Sequence, residues 1–199
     1  DADAESSKHK PSTIRSFQKA GVACAVSFFA LVKAAVVADS SLSKDDLRVF
    51  ESESKVATAF KAVDRLMEKA YGRHGGDASF VTDFGRMTFT AATLRVLLAV
   101  FNAIADICSA GGGGDGDESG GGQYTLLRIK NLLDTTIADG KVAANSGYRN
   151  TNLLLRDNDR GQHVFEVQLN LQSLERVKNG PLGHKVFEVL RKLGYSAAN

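Results

Sequence analysis

The chain has 199 residues, 43% hydrophobic and 24% charged, a balance that excludes wholesale disorder and fits one globular domain, or one domain with an appendage. Its 25 Lys and Arg stand against 23 Asp and Glu, for a formal net charge of +2. That is too little to neutralise a nucleic-acid duplex, so any anion site must be local. Two widely separated cysteines, Cys24 and Cys108, exclude a structural zinc site and a disulfide-stapled scaffold.

The sequence opens on Asp1 without a Met, as an excised or processed chain would, and stays polar to Ser12. Arg15 and Lys19 then lead into Ala20–Ala38, AGVACAVSFFALVKAAVVA, in which Lys33 is the single charge. The run just reaches the length of a bilayer span of roughly 20 residues. Three readings fit it: a helix buried in the core or packed on a partner, a membrane anchor, or a targeting segment. Residues 1–40 are therefore expected to form a polar tail plus an apolar helix, ahead of a main domain over 41–199.

Ser43 is placed to cap a helix whose first turn carries Asp45 and Asp46. The apolar positions from Val49 to Met67 suit an amphipathic helix. Phe80–Thr90 is aromatic and β-favouring, so it predicts a strand, and Leu94–Ile104 predicts a helix behind it. The Gly-rich stretch 110–122 cannot bury apolar area and reads as a flexible insertion. It carries Asp115, Asp117 and Glu118, which would repel phosphate, so it is no phosphate cradle.

Tyr124–Lys130 alternates like a strand, Thr151–Leu155 reads as another, and Asn158–Gln162 as a hairpin connection. In His163–Leu171 the residues Val164, Glu166, Gln168 and Asn170 share one face, with Phe165, Val167, Leu169 and Leu171 on the other. Helices are expected over Ser173–Lys178 and Lys185–Leu193. The expected fold class is α+β, a mixed sheet of about five strands flanked by helices.

Two carboxylates stand in apolar, β-favouring surroundings: Asp83 between Thr82 and Phe84, and Glu166 between Phe165 and Val167. Such a residue is ordinarily solvent-facing or paired with an Arg. On neighbouring strands, however, two of them would suffice to hold Mg²⁺ together with substrate phosphates.

The motifs around these acids resemble a known family. Gly147-Tyr148-Arg149-Asn150-Thr151-Asn152, a short turn, and then Phe165-Glu166-Val167-Gln168 are similar to the GYR…E(I/V)Q pattern of RelA/SpoT-like nucleotidyltransferases. Asp83-Phe84-Gly85-Arg86, Arg128-Ile129-Lys130-Asn131 and Gly183-His184-Lys185-Val186-Phe187 resemble further segments, in the family's order. The likeness spans roughly residues 55 to 193 and implies a pyrophosphokinase, transferring pyrophosphate from ATP to the ribose 3′-hydroxyl of a purine nucleotide with Mg²⁺. It implies that Asp83 holds the metal and that Glu166 assists as a second acidic group, either at the metal or as general base to the attacking hydroxyl. Tyr148 would stack on the acceptor base, and Gln168 would orient the acidic strand. Lys61, Arg65, Lys69, Lys130 and Arg149 would contact phosphate, and Asn152 and His184 would join the nucleotide site. Two departures stand out: Asn152 replaces a frequent His, and Lys61-Ala62-Val63-Asp64-Arg65 lacks the Arg-x-Lys pair of bacterial synthetases. The alternative expectation is a non-catalytic member acting as a binding or structural module, docked on a membrane or larger assembly through residues 20–38. Without a ligand, Tyr148 would pack a sheet edge and His184 would cap or fill the core. Cys24 and Cys108 read as small apolar packers.

Overall fold

The computed structural model describes residues 11–57, 84–110, 122–133, 149–160, 163–180 and 189, with side chains from Arg15 onward. Helix α1 (Pro11–Val37) contains the apolar run. Its buried positions Gln18, Gly21, Cys24, Ala25, Phe28, Val32 and Val36 recur every three or four residues, so one helix face, apolar except at Gln18, faces the sheet. By length and composition Arg15–Val37 is able to cross a membrane, and in this fold that one face is packed against protein.

Helix α2 (Lys44–Glu53) starts at the anticipated cap. The Asp46 N–H donates to Ser43 Oγ at 3.2 Å and the Ser43 N–H donates to Asp46 Oδ2 at 3.0 Å, which satisfies two backbone donors left over at the helix start. The helix does not run on to Met67 as the apolar spacing suggests. Ser54 turns extended, and Lys55–Val56 forms β1 instead. Pairing decides this: Lys55 lies opposite Thr88, Val56 opposite Met87, and the Thr90 N–H donates to Ser54 Oγ at 3.0 Å. A strand partner offers the backbone the same hydrogen bonds as another helical turn, and it also buries Val56 against the core.

Strand β2 (Gly85–Ala91) leads into α3 (Leu94–Ser109), capped by Thr93. Strands β3 (Tyr124–Asn131), β4 (Thr151–Asp157) and β5 (Val164–Leu171) follow, and α4 (Gln172–Asn179) closes the described part. The expected α+β mixed sheet of five strands is what forms, in the order β1-β2-β5-β4-β3. β2 and β5 are parallel and all other pairs antiparallel. Of the expected helix over 185–193 only Val189 is described, and it is helical; the Gly-rich residues 111–121 lie outside the described residues.

Alternation gives the sheet two faces. Met87, Phe89, Phe165, Val167, Leu153 and Leu155 point to one side and are fully buried. There Phe28 meets Tyr124 edge-on with ring centroids 4.7 Å apart, and Phe29 stacks on Phe89 at 5.0 Å. Each such ring contributes about 1.5–3 kcal/mol by leaving water, which is why α1, α2 and α3 settle on this side. Helix α1 comes closest at two glycines. A Cβ on Gly85 would lie 2.1 Å from the Gly21 carbonyl oxygen, so helix backbone rests directly on strand backbone.

Candidate functional site

The opposite face of the sheet is polar, and register fixes what shares it. Lys55, Thr88, Gln168, Asn152 and Lys130 form one continuous cross-strand row from β1 to β3. Beside it runs a second row, Arg86, Glu166, Leu154 and Arg128. Strands sit about 4.8 Å apart, so the first row is about 19 Å long, with Gln168 at its middle.

A β-bulge between Leu126 and Arg128 places the two β3 cations here. Strict alternation from the core residue Tyr124 would send Leu126, Arg128 and Lys130 to the core side. Instead Leu126 pairs with Leu155 and Arg128 with Leu154, so the register advances by one on β3 only, and Leu127 is the extra residue. The bulge reverses the facing of everything after it. Ile129 and Asn131 consequently take the core side, opposite Leu153 and Thr151.

Glu166 is the single carboxylate on this face among the described strand residues, while Lys55, Arg86, Arg128, Lys130 and Arg156 all share it. The Gln168 side-chain amide donates to Glu166 Oε1, which fixes the carboxylate's orientation. Arg156 Nε donates to Asn158 Oδ1 at 3.0 Å. Such a surface favours an anion through summed potential, with Glu166 set among cations.

The other anticipated residues distribute as follows. Asn152 lies in the long row, its Oδ1 accepting from Asn150 Nδ2 at 2.6 Å. Arg149 precedes β4, and its Nη1 donates to the Leu132 carbonyl at 3.4 Å. Asp83, Lys61, Arg65, Lys69, Tyr148 and His184 lie outside the described residues. Arg86, Arg128 and Lys55 were not singled out as site residues by sequence reasoning. Arg86 and Lys55 become visible only once the strands are paired, and Arg128 only once the bulge is known.

Among the described residues no group of three or more His, Cys, Asp and Glu gathers to hold a metal ion. Mg²⁺ bound through substrate phosphates needs only one or two carboxylates, and Glu166 is the one carboxylate that the described strands present on this face. On the core side, an apolar groove of about 530 Å³ lies between α3 and β3, lined by Leu94, Leu98, Phe101 and Ile129 among others, and contains no charged group. Cys24 is buried beside Asp157. Burial, and then the Asp157 carboxylate, push its thiol up to about 11, so it stays protonated near neutral pH and acts as a packer.

No protein-family model matches the sequence, and no curated protein matches it. Solved structures do. The chain is similar to small alarmone synthetase 2 of Bacillus subtilis, at 14% identity and a TM-score of 0.46, covering 73% of this chain and 66% of that one. It is similar to small alarmone synthetase 1 of Bacillus subtilis bound to its product pppGpp, at 13% identity and a TM-score of 0.45, covering 70% of this chain and 66% of that one. A GTP pyrophosphokinase family protein from Streptococcus pneumoniae aligns at 10% identity and a TM-score of 0.47, covering 83% of this chain and 77% of that one. The chain spans just under two thirds of the length of the two Bacillus synthetases.

Proposed function

We propose that the polar face of the sheet binds nucleotide polyphosphates and transfers pyrophosphate from ATP to the ribose 3′-hydroxyl of a purine nucleotide. The observation that carries this reading is the pair of cross-strand rows, which set cations on both sides of a single oriented carboxylate. Lys55 and Arg86 lie over β1 and β2, Arg128 and Lys130 over β3, and Glu166 between them on β5. Two polyanionic substrates must meet at one reacting centre, and separate cation groups flanking a base provide for that. Phosphoryl-type transfer asks the protein chiefly for positioning and charge neutralisation.

In this reading Glu166 takes the proton from the 3′-hydroxyl. That oxygen forms a bond to the β-phosphorus of ATP, the bond from that phosphorus to the α–β bridging oxygen breaks, and AMP departs. Gln168 holds Glu166 Oε1, which leaves Oε2 to receive the proton. Asp83 and Glu166 would hold Mg²⁺, which would supply neutralising charge to the phosphates. Lys61, Arg65 and Lys69 serve the donor, Lys130, Arg149, Asn152 and His184 the acceptor, and Tyr148 stacks on its base. A stacked base contributes about 1–3 kcal/mol.

Incubation with ATP, Mg²⁺ and each of GDP, GTP and ADP, resolved chromatographically, is expected to yield AMP and one new nucleotide in equal amounts. Asp83→Ala should abolish both. Nucleotide binding without any product would reduce the chain to a binding module, and neither binding nor product would overturn the reading.

The double substitution Arg128→Ala and Lys130→Ala tests the two cations that the bulge turns to this face. Each lost charge-assisted contact costs about 1.5–3 kcal/mol, so affinity for GTP, read by equilibrium binding, should fall about 100-fold or more. Undiminished affinity would show that these two side chains do not serve the site.

A further inference from the structure

Alternation breaks a second time in this sheet, at the entry to β2. Gly85 belongs to the core side, since a Cβ built on it would lie 2.1 Å from the Gly21 carbonyl oxygen of α1. Its neighbour Phe84 should then turn to the polar side. It does not. The chain bends at Phe84, and Phe84 Cβ is 3.1 Å from where a Cβ on Gly21 would stand, so Phe84 faces α1 as well. Its ring stacks on that of Phe17, one helical turn before Gly21, with centroids 5.9 Å apart and planes 19° from parallel. Phe17 also meets the His163 ring edge-on at 6.0 Å, and His163 immediately precedes β5. One ring of α1 therefore touches the lead-in of both parallel strands, β2 with Arg86 and β5 with Glu166.

Two successive residues on one side shift everything before them by one step in the alternation, as a β-bulge does. Unbroken alternation from Gly85 would send residue 83 beneath α1, where a carboxylate is costly to bury. With Phe84 turned to α1, residue 83 is next in line for the polar side. We infer that Phe17 is a positioning residue: by holding Phe84 against α1 it turns Asp83 to the face that carries Glu166. This rests on the function proposed above, in which those two acids serve one centre. Phe84 is bonded directly to Asp83, so a ring held in place leaves the acid little freedom to turn back. Gly21 permits the arrangement, because no side chain stands between the helix and Phe84. One irregular residue re-aims a side chain without disturbing the rest of the strand, and from Gly85 onward β2 pairs with β5 in unbroken register.

The orientation is read without turnover by a thiol at position 83. In a Cys108→Ser background, with Cys24 buried, Asp83→Cys should react readily with a water-soluble aromatic disulfide, and saturating GTP should slow that reaction several-fold. Adding Phe17→Ala should abolish the protection while GTP still binds. In the otherwise unaltered chain, Phe17→Ala should lower kcat about 100-fold, the cost of misplacing a reacting group by about 1 Å, with the KM for GTP held. Phe17→Tyr keeps the ring and should restore the parental kcat. A thiol at 83 that is unreactive in the folded chain would put that side chain beneath α1 and overturn the inference, whatever the activity. So would a Phe17→Ala variant that melts earlier but keeps both the GTP protection and the kcat of its folded fraction. A chain reactive at position 83 that neither binds GTP nor makes product would overturn the function proposed above and leave the orientation of residue 83 standing.

Discussion

Gly85→Ala is expected to lower the stability of this protein by about 3 kcal/mol or more, at the upper end of what overpacking costs. The new methyl would sit 2.1 Å from the Gly21 carbonyl oxygen and 2.5 Å from its carbonyl carbon, and neither belongs to a side chain able to rotate away. Relief requires α1 to lift from β2, and α1 carries Cys24, Ala25, Phe28 and Val32 into the core. In a chain of this size the melting temperature should fall by about 6–12 °C. Gly21→Ala is the matched control. Its Cβ would be 3.0 Å from the Gly85 nitrogen and 3.1 Å from Phe84 Cβ, and replacing a helical glycine returns up to about 1 kcal/mol of propensity. Its effect should be clearly the smaller of the two. Equal melting temperatures for Gly85→Ala and the parent would mean that α1 does not rest on β2 at this point.

Glu166→Gln is expected to remove catalysis and spare the fold. The amide has the size of the carboxyl and keeps an oxygen to accept from Gln168, so the melting temperature should hold. What is lost is the group proposed to take the proton, worth about 10²–10⁴-fold in rate. The phosphate contacts proposed for Lys55, Arg86, Arg128 and Lys130 are untouched by the substitution, so GTP should still bind. Rate and affinity, measured on the same preparation, should therefore separate. A variant that turns over at the parental rate would strip Glu166 of the role, and one that loses binding and turnover together would make it a structural residue of the face.

Much of the fold is legible in the chain because alternation and helical spacing are local signals. Phe165, Val167 and Leu169 alternate with Glu166 and Gln168, and they take opposite sides of β5 as that pattern requires. Ser43 with Asp46 announces the start of α2. The end of α2 is not local in the same way. Val56 satisfies a helical spacing as well as a strand, and Met87 and Thr88, far along the chain, decide between them. The site shows the same division. Glu166 and Gln168 stand two apart on one strand, so their common face could be read directly. The company of Arg86 and Lys55 depends on strand order, and that of Arg128 and Lys130 on one unpaired residue.

The sequence by itself determined which residues alternate, which helix face is apolar, where α2 is capped and that Glu166 is an acid among apolar neighbours. These follow from side chains a few positions apart. Only the tertiary structure decided that Val56 joins a sheet, that Gly85 must be bare to admit the α1 backbone, and that a bulge at Leu127 turns two cations toward Glu166. Each of those outcomes is set by a partner distant in the chain, where backbone hydrogen bonds and packing volume outweigh local preference.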